Sequence, residues 1–486
     1  MSKETGTLSE KALRGFSSQT LIVIGIGVVN LIYFSVMSRL LSKEDFGYFA
    51  IITAITTILD EISSAGLGSA VIQRKTLEKD FFYSALTLSI LIGLFFTLAL
   101  FLSADSLSLF YAGGSALTLG LRIMSITFLS HNITSPLRAL YIREMRFLRY
   151  GSFQLATLIF SCLTGMLLAY HGVGFMAIVI ASTLAPLSLA IILLLINYSK
   201  IGFCFNKTYF SEIFSYGGWL TASGVVRSIY DQLDKLITTK WIPISLLGAY
   251  NRPVGFVGQV SGQINGIFDT VLFPILSACQ DDVTKMKKSY LLCSELVLVP
   301  ALIISVSFIL CSHLIISVFL GEKWLDLVPV FRIASLGMVF MFYNRIGDCF
   351  FRSLGIVKEY FYVRVVVCIL SVASIYFGCK YGIYGLAVSV MIAKFVESMV
   401  KTVFFQIRLR FAYSEFFRSM IIVGALPVVL LCILMALQIY GQSVFYDVVS
   451  LTLFWGLLAI FVKIRPTILG NNFNTYVINK YFKRWI

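Results

Sequence analysis

The feature that most constrains this chain is a series of long apolar segments along nearly its whole length. A helix needs about 20 predominantly apolar residues to cross a bilayer. Helices are the expected conformation, because lipid offers no hydrogen-bonding partner to an open backbone. Fourteen segments of the 486-residue sequence meet this description. They cover residues 16–41, 46–70, 81–104, 114–141, 149–170, 172–197, 212–240, 246–278, 288–320, 325–355, 358–380, 382–408, 416–440 and 444–464.

The composition supports the same interpretation. Hydrophobic residues make up 58% of the chain and charged residues 13%, whereas a soluble domain is about half apolar and about a quarter charged. Polar residues interrupt the seventh, eighth and tenth segments, which are therefore the weakest predicted spans. The stretches between segments are too short to fold alone, so we expect no enzyme active site in a soluble domain. The nine cysteines form no C-x-x-C pair and the three histidines lie far apart, so we expect no metal or other cofactor.

The distribution of basic residues predicts the orientation of the spans. The formal net charge is +15, and Lys and Arg concentrate in alternate connecting loops, such as those with Arg143 and Arg146 or with Lys285 and Lys287. Basic loops stay in the cytoplasm, so we expect both termini to be cytoplasmic. This pattern accounts for the basic balance without a nucleic-acid partner.

Internal similarity divides the spans into two sets of six. Arg122 and Arg332 lie in similar segments 210 positions apart, and Gly47 and Gly248 lie in similar segments 201 positions apart. We therefore expect an all-α integral membrane protein of two six-helix bundles related by a pseudo-two-fold axis along the membrane normal, with a substrate cavity between them. The predicted domains are residues 1–211, residues 212–411, and residues 412–486 with two extra helices and a cytoplasmic tail.

Five short motifs occur in order along the chain. They are Gly68–Lys75, Ile142–Phe147, Leu247–Pro253, Val271–Pro274 with Gln280–Asp282, and Phe319–Trp324. Together they resemble the motifs of Wzx-like polysaccharide exporters, and in particular the colanic-acid exporter branch. One departure is Pro253, where that family commonly has alanine; a proline there can kink the eighth helix.

This resemblance implies the fold of the multidrug/oligosaccharidyl-lipid/polysaccharide flippase superfamily. It also implies a flippase that moves undecaprenyl-pyrophosphate-linked saccharide units from the cytoplasmic to the periplasmic side of the bacterial inner membrane. Such transport serves the synthesis of O-antigen, capsule or exopolysaccharide, and alternating access is the implied mechanism. Membrane lipids, H⁺, Na⁺, and polysaccharide polymerase and assembly proteins are candidate partners.

Two alternatives involve other chemistry. An ion-coupled small-molecule exporter of the multidrug-efflux type would share the fold, but cation efflux favours a mainly acidic cavity. A membrane-embedded saccharide polymerase or ligase would need catalytic side chains on a large outer loop. The predicted outer loops, such as residues 105–115, are short and lack paired acids or histidines.

Cations inside the predicted spans are the candidate cargo contacts. A buried charge is costly and normally faces a cavity or a partner, and the guanidinium fork matches phosphate. Arg122 and Arg332 could bind an anionic cargo or reach the outer headgroups. Arg227 and Arg345 could bind cargo or pair with nearby acids. The candidate substrate-binding residues are Arg122, Arg227, Arg332, Arg345 and Arg252.

Acidic residues inside the spans are candidates for ion coupling. Asp231 and Asp234 share one helix face with Arg227, and Asp348 lies three residues after Arg345. These three carboxylates are predicted to bind H⁺ or Na⁺. His131 and Asn132 form either a proton relay or a polar pair bonded to a neighbouring helix. Further charged candidates are Asp60, Glu61, Asp269, Lys394 and Glu397.

Overall fold

The computed structural model describes residues 8–64, 67–74, 76–277, 282–438 and 443–464. The predicted tail beyond residue 464 and the motif residues Gln280 and Asp281 lie outside the described residues, as does the side chain of the candidate Asp269.

Within these ranges the chain forms helices and no strand, and fourteen helices have 21 or more residues. A further, short helix spans Leu67–Gln73. In chain order the long helices are α1 (Leu8–Leu40), α2 (Lys43–Ser64), α3 (Lys79–Phe110), α4 (Gly114–Arg143), α5 (Phe147–Tyr170), α6 (Met176–Ile196), α7 (Lys207–Thr238), α8 (Ile244–Ser277), α9 (Val283–Leu310), α10 (Val328–Ser353), α11 (Val357–Cys379), α12 (Gly382–Leu409), α13 (Tyr413–Gln438) and α14 (Val444–Ile464).

Eleven of the helices in the described part of the chain are long and apolar enough to cross a membrane. The chain is therefore a multi-pass membrane protein. The three long helices outside this set are α4, α7 and α8, which carry polar side chains along their length. The seventh and eighth spans were predicted to be weak, and α7 and α8 are outside the apolar set. The tenth was also predicted to be weak, but α10 is within the set, because three of its four charged residues lie in its last third. Helix α4 is outside the set because His131, Asn132 and Arg138 lie in its second half.

The chain forms two compact units, residues 1–248 and residues 249–486. In the first unit α3 packs on α4, α4 on α6, and α5 on α6, while α7 packs on α2. In the second unit α9 packs on α10, α10 on α12, and α11 on α12. Three helix pairs thus recur six helices later. Helix α7 belongs to the first compact unit, so the contact boundary differs from the predicted repeat boundary at residue 211, and the repeat symmetry stays a prediction.

A half-buried carboxylate fixes the start of α2. One Asp45 oxygen accepts the backbone N–H of Phe175 at 2.9 Å, just before α6 begins. The other oxygen accepts the backbone N–H and the hydroxyl of Ser42, at 2.8 and 2.7 Å. Because these bonds use the otherwise unpaired groups of a helix start, α2 and α6 begin in a fixed relation.

The motif residue Asp282 begins α9. Its side chain accepts the backbone N–H groups of Thr284 and Lys285 at 2.9 and 3.0 Å, as an N-cap does. These bonds, with the ammonium of Lys285, hold the pKa of this solvent-exposed carboxyl below its usual value. This motif residue therefore defines a helix end.

The backbones of α2 and α8 meet at two glycines. A Cβ atom added at Gly248 would overlap the carbonyl oxygen of Lys43, and one at Gly47 would overlap the carbonyl oxygen of Ile244. Both obstacles are backbone atoms, which cannot rotate away. The two glycines are the pair that sequence similarity matched at an offset of 201 positions. Their lack of side chains allows this crossing.

We expect Gly248→Val to destabilise the protein, because its side chain would displace the start of α2. Overpacking of this kind costs about 1–3 kcal/mol, which should lower the apparent melting temperature in detergent by several degrees. Gly258→Val is the matched control, because no atom lies within 4 Å of a Cβ added there on the same helix. Equal melting temperatures for the two variants would contradict this packing.

Candidate functional site

The first unit contains a cavity of about 440 Å³ inside its helix bundle. Helices α1, α2, α4, α5 and α6 line it, and most of the lining side chains are polar although the surrounding helices are apolar. A volume of this size lies within the range of ligand pockets, about 300–1,000 Å³. The polar lining residues are Asn30, Asp60, Ser64, His131, Asn132, Thr134, Ser135, Arg138, Tyr150, Gln154 and Thr157.

A carboxylate–imidazole pair forms one wall of the cavity. The Nδ1 atom of His131 on α4 lies 3.0 Å from an Asp60 oxygen on α2. Both side chains remain accessible, with exposed fractions of 48% and 36%. The pair can hold a proton between the two groups or present the carboxylate and the second ring nitrogen to a ligand.

Asn132 forms the deeper part of the same wall. Its side chain is 2% exposed, and its amide nitrogen donates to the Ser63 hydroxyl at 3.1 Å and to the Phe128 carbonyl at 2.9 Å. Of the two open interpretations of His131 and Asn132, the structure shows polar bonds to a neighbouring helix, because Asp60 and Ser63 both belong to α2. Proton relay through the pair stays a prediction.

Two prolines lie within the helices around the cavity, Pro136 in α4 and Pro186 in α6. Proline has no N–H, so the carbonyl oxygens of Asn132 and Ser182 lose their helical donors four residues later. Lipid cannot supply replacements, but a polar cavity can.

A second cavity of about 270 Å³ shares Ser64, Ser135 and Arg138 with the first. Arg138 is exposed at this junction and stacks against Tyr150, with its guanidinium carbon 5.7 Å from the ring centre. The second cavity also borders Gly68 and Ile72 in the short helix Leu67–Gln73. The first recognised motif therefore forms part of a cavity wall.

Arg143 holds this wall in place. Its guanidinium donates to the carbonyl oxygens of Val71 and Ile72, both at 3.0 Å, and also to that of Arg74. These carbonyls end the short helix and need such donors. Arg143 belongs to the second recognised motif, so the two motifs meet in space.

The second unit buries a different arrangement, a network of charges among α10, α11 and α12. The Lys401 ammonium is 2% exposed and lies 2.6 Å from both Asp348 and Glu397. Arg364 lies 3.3 Å from Asp348. Arg345 reaches the same carboxylate at 4.0 Å, and Lys394 approaches Glu397 at 3.9 Å. Asp348, a predicted ion-coupling residue, is thus surrounded by cations.

Arg122 and Arg332 each contact their own unit near the end of a helix. The Arg122 guanidinium lies 2.7 Å from Asp105 of α3 and stacks over Phe101 at 5.1 Å. Arg332 donates to the Ser312 hydroxyl at 2.8 Å and lies within electrostatic range of the buried Asp447. Both cations therefore have protein partners, and their role toward cargo stays a prediction.

The candidate residues on α7 and α8 differ in their exposure and in their contacts. Arg227 and Asp231 are exposed, and within the described residues Arg227 takes part in no ion pair, so the predicted alternative of an Arg227–Asp231 pair is wrong. Asp234 is half-buried and accepts the backbone N–H of Lys235 at 2.9 Å. Arg252 is half-buried on α8. Arg122 and Arg227 belong to the first unit and the other three candidate arginines to the second, so a joint role stays a prediction.

Sequence reasoning missed Lys401 and Arg364, which complete the second unit's network. It also missed Asn30, Arg138 and Gln154 as cavity residues. Lys401 follows Glu397 by four positions, a spacing that places them on one helix face. That signal was available for Lys401, whereas Arg364 reaches Asp348 from a different helix, which no spacing along one helix reveals.

Comparison with known proteins identifies the family. The profile of a family described as "Polysaccharide biosynthesis protein" matches residues 36–329, which is more than half of the chain. The chain belongs to the polysaccharide biosynthesis protein family. This confirms the resemblance to Wzx-like exporters.

Two relatives are similar to this chain over most of their length. It is 25% identical over 364 residues to the lipopolysaccharide biosynthesis protein WzxC of Escherichia coli K12, covering 70% of each chain. It is 23% identical to a membrane protein of the cps region of Klebsiella pneumoniae, described as uncharacterized, covering 96% of each chain.

Solved structures show the fold. This family member superposes on the lipid II flippase MurJ in an inward closed conformation with a TM-score of 0.74, at 16% identity, over 92% of this chain and 98% of that one. A multidrug resistance MATE family transporter of the MOP superfamily, in an inward-facing conformation, gives a TM-score of 0.66 at 13% identity, over 80% and 98%. The predicted superfamily fold is thereby confirmed, whereas fourteen spans and repeat symmetry stay predictions.

We expect Lys401→Met to destabilise the protein strongly, because it leaves Asp348 and Glu397 buried with one cation fewer. Breaking a buried ion pair on one side costs about 3–5 kcal/mol. The apparent melting temperature and the membrane abundance should both fall. The double variant Glu397→Gln/Lys401→Met should recover part of the loss, because only Asp348 then needs a partner and Arg364 remains.

Lys288→Met removes an exposed lysine at the start of α9 and is the control for the loss of a positive charge. A Lys401→Met variant as stable as Lys288→Met would contradict the network's structural role.

Proposed function

We propose that this protein is a flippase for lipid-linked saccharide units in surface polysaccharide synthesis. The observation that carries the proposal is a cavity of about 440 Å³, lined mostly by polar residues, among the helices of a multi-pass membrane protein of the polysaccharide biosynthesis family. A helix bundle does not need such a cavity for its own stability, because polar side chains within the bilayer are costly unless they face water or a partner. A hydrophilic headgroup in transit needs one.

Relatives support the cargo class. Their names include a putative O-antigen transporter of Shigella flexneri, 24% identical over 211 residues, and the succinoglycan biosynthesis transport protein ExoT of Rhizobium meliloti, 23% identical over 308 residues. MurJ, whose fold this chain shares, is named for lipid II. We infer an undecaprenyl-pyrophosphate carrier and translocation by alternate exposure of the cargo site to the two sides of the inner membrane.

The recurrence of three helix pairs in the two units supports the proposed parallel repeat. It also supports fourteen spans, because α4, α7 and α8 lie among helices that are long and apolar enough to cross the membrane. A polar helix in such surroundings keeps its polar side chains away from lipid when its polar face lines a cavity, as that of α4 does.

Export of small cationic compounds is the second candidate, since structures of multidrug transporters share the fold. Asp60 in the cavity of the first unit is the observation that favours it. Arg138 and His131 line the same cavity, however, so it is not mainly acidic. The balance of charges favours a polar cargo.

The proposed orientation can be tested by cysteine labelling. In a cysteine-free background, we expect Lys288→Cys to react only after the membrane is made permeable. Tyr381→Cys should react with a membrane-impermeant maleimide in cells with a permeabilised outer membrane. Both positions are exposed, Tyr381 by 80%, so accessibility depends on the side of the membrane. Labelling of residue 288 from the periplasm would overturn the topology.

The proposed function and its anionic cargo can be tested in a deletion strain. We expect the strain to accumulate a lipid-linked saccharide and to lose surface polysaccharide. Complementation with Arg227→Ala should restore normal abundance of the protein but reduce polysaccharide export about tenfold, since a charge-assisted contact contributes about 1.5–3 kcal/mol. Arg227 is exposed and forms no ion pair within the described chain, so its loss strands no acid.

Two comparisons make this result specific. Arg332→Ala should lower abundance and export together, because Asp447 is 0% exposed and loses a nearby cation. Arg418→Ala, at an exposed arginine near the start of α13, should change neither quantity. Normal export by Arg227→Ala would overturn the anionic contact, and a deletion strain without an accumulated lipid-linked saccharide would overturn the proposed function.

A further inference from the structure

We infer that the cavity of the first unit binds the saccharide part of the cargo through its hydroxyl groups and does not bind the pyrophosphate. This inference rests on the proposed function and assigns a subsite within it. It depends on the kinds of hydrogen-bonding groups that residues of the first unit present to the cavity.

The cavity combines acceptors with donors. The Asp60 carboxylate and the Asn132 amide oxygen accept hydrogen bonds, whereas Arg138 donates, and Gln154 can do both. A sugar hydroxyl both donates and accepts, so it can bond to either kind of group. A fully ionised pyrophosphate only accepts, so Asp60 would repel it and the Asn132 oxygen would gain no donor.

Asn132 provides the most specific observation. Its side-chain nitrogen must face the Phe128 carbonyl, because a carbonyl only accepts, and this fixes the amide oxygen as the other atom. That buried oxygen has no hydrogen-bond partner within the described chain. An unsatisfied buried polar atom costs about 1–3 kcal/mol. Asn132 lines the cavity, and because the oxygen is itself buried, a sugar hydroxyl that enters beside it would supply the missing donor once this wall adjusts.

Another part of the lining suits the apolar faces of a sugar ring. Tyr150 and Leu158 line the cavity, and Tyr150 is held by its stacking against Arg138. Ligand pockets commonly combine apolar surface with a few placed polar groups. A carbohydrate has both kinds of surface, whereas an inorganic anion has only one.

The test compares two carriers on purified protein in lipid nanodiscs. The probes are undecaprenyl pyrophosphate alone and undecaprenyl pyrophosphate bearing one N-acetylhexosamine, and the measurement is the Kd of each by native mass spectrometry. We expect the wild-type protein to bind the sugar-bearing carrier at least tenfold more tightly. Gln154→Trp, which fills the cavity, should remove this preference and leave the Kd of the bare carrier unchanged.

Ser152→Trp is the matched control, because Ser152 is exposed on the same helix and is not part of the cavity lining. It should keep the preference. Asp60→Asn is a second variant, which keeps the shape of the side chain and removes its charge. It should weaken the preference, and it decides the test in the case that Gln154→Trp does not fold.

The outcomes separate this inference from the proposed function. If the wild type binds both carriers equally, or if the folded cavity variants keep the preference, the saccharide subsite is overturned and the flippase proposal stands. If a cavity variant raises the Kd of both carriers equally, the cavity binds the pyrophosphate and the inference is wrong. If the wild type binds neither carrier, the proposed function is overturned together with the subsite.

Discussion

The exclusion of water from the bilayer core is the constraint on which the whole structure depends. Every charged or polar side chain in a span must pair with protein or face a water-filled space. The two units meet this requirement differently. The second unit pairs Lys401, Arg364, Asp348 and Glu397 with one another, whereas the first unit leaves Asp60, His131 and Arg138 around open space.

This difference suggests a division of work. A closed charge network joins three helices and resists rearrangement, since each ion has lost its water and depends on its partners. An open polar cavity allows groups to exchange protein partners for ligand. In the first unit Arg143 and Asp45 fix the backbone on two sides, so the cavity walls are supported while their side chains remain accessible.

The sequence predicted features that depend on local periodicity. Long apolar runs predicted the helices, and the matched glycines Gly47 and Gly248 indicated positions that the fold uses for a close backbone contact. The motif residues Arg143 and Gly68 were recognised by resemblance. The structure explains both, because Gly68 belongs to the short helix Leu67–Gln73 and Arg143 donates hydrogen bonds to carbonyl oxygens of that helix. Asp60 and His131 were each candidates, but their pairing joins α2 to α4 across 71 positions.

The sequence could not show the partners of residues that are contacted from distant parts of the chain. Arg122, Arg227 and Arg332 looked alike as cations within spans, yet one lies against Asp105, one forms no ion pair within the described residues, and one donates to Ser312. The cavity residues Asn30 and Gln154 carry no charge and have no distinctive spacing, so only the packing of α1, α4 and α5 reveals them. Hydropathy overstates the polarity of α4, because several of its serines and threonines bond to their own helix and expose little polar surface.

The central claim, translocation of a lipid-linked saccharide, is tested most directly in proteoliposomes that contain only this protein. A tritiated undecaprenyl-pyrophosphate-linked N-acetylhexosamine would be placed in both leaflets, and its exposure to a membrane-impermeant galactosyltransferase measured over time. The account predicts that, with wild-type protein, nearly all of the lipid becomes accessible, while only the outer-leaflet half does so in protein-free liposomes. Accessibility that stays at one half in the presence of folded protein, with or without an imposed proton or sodium gradient, would contradict it.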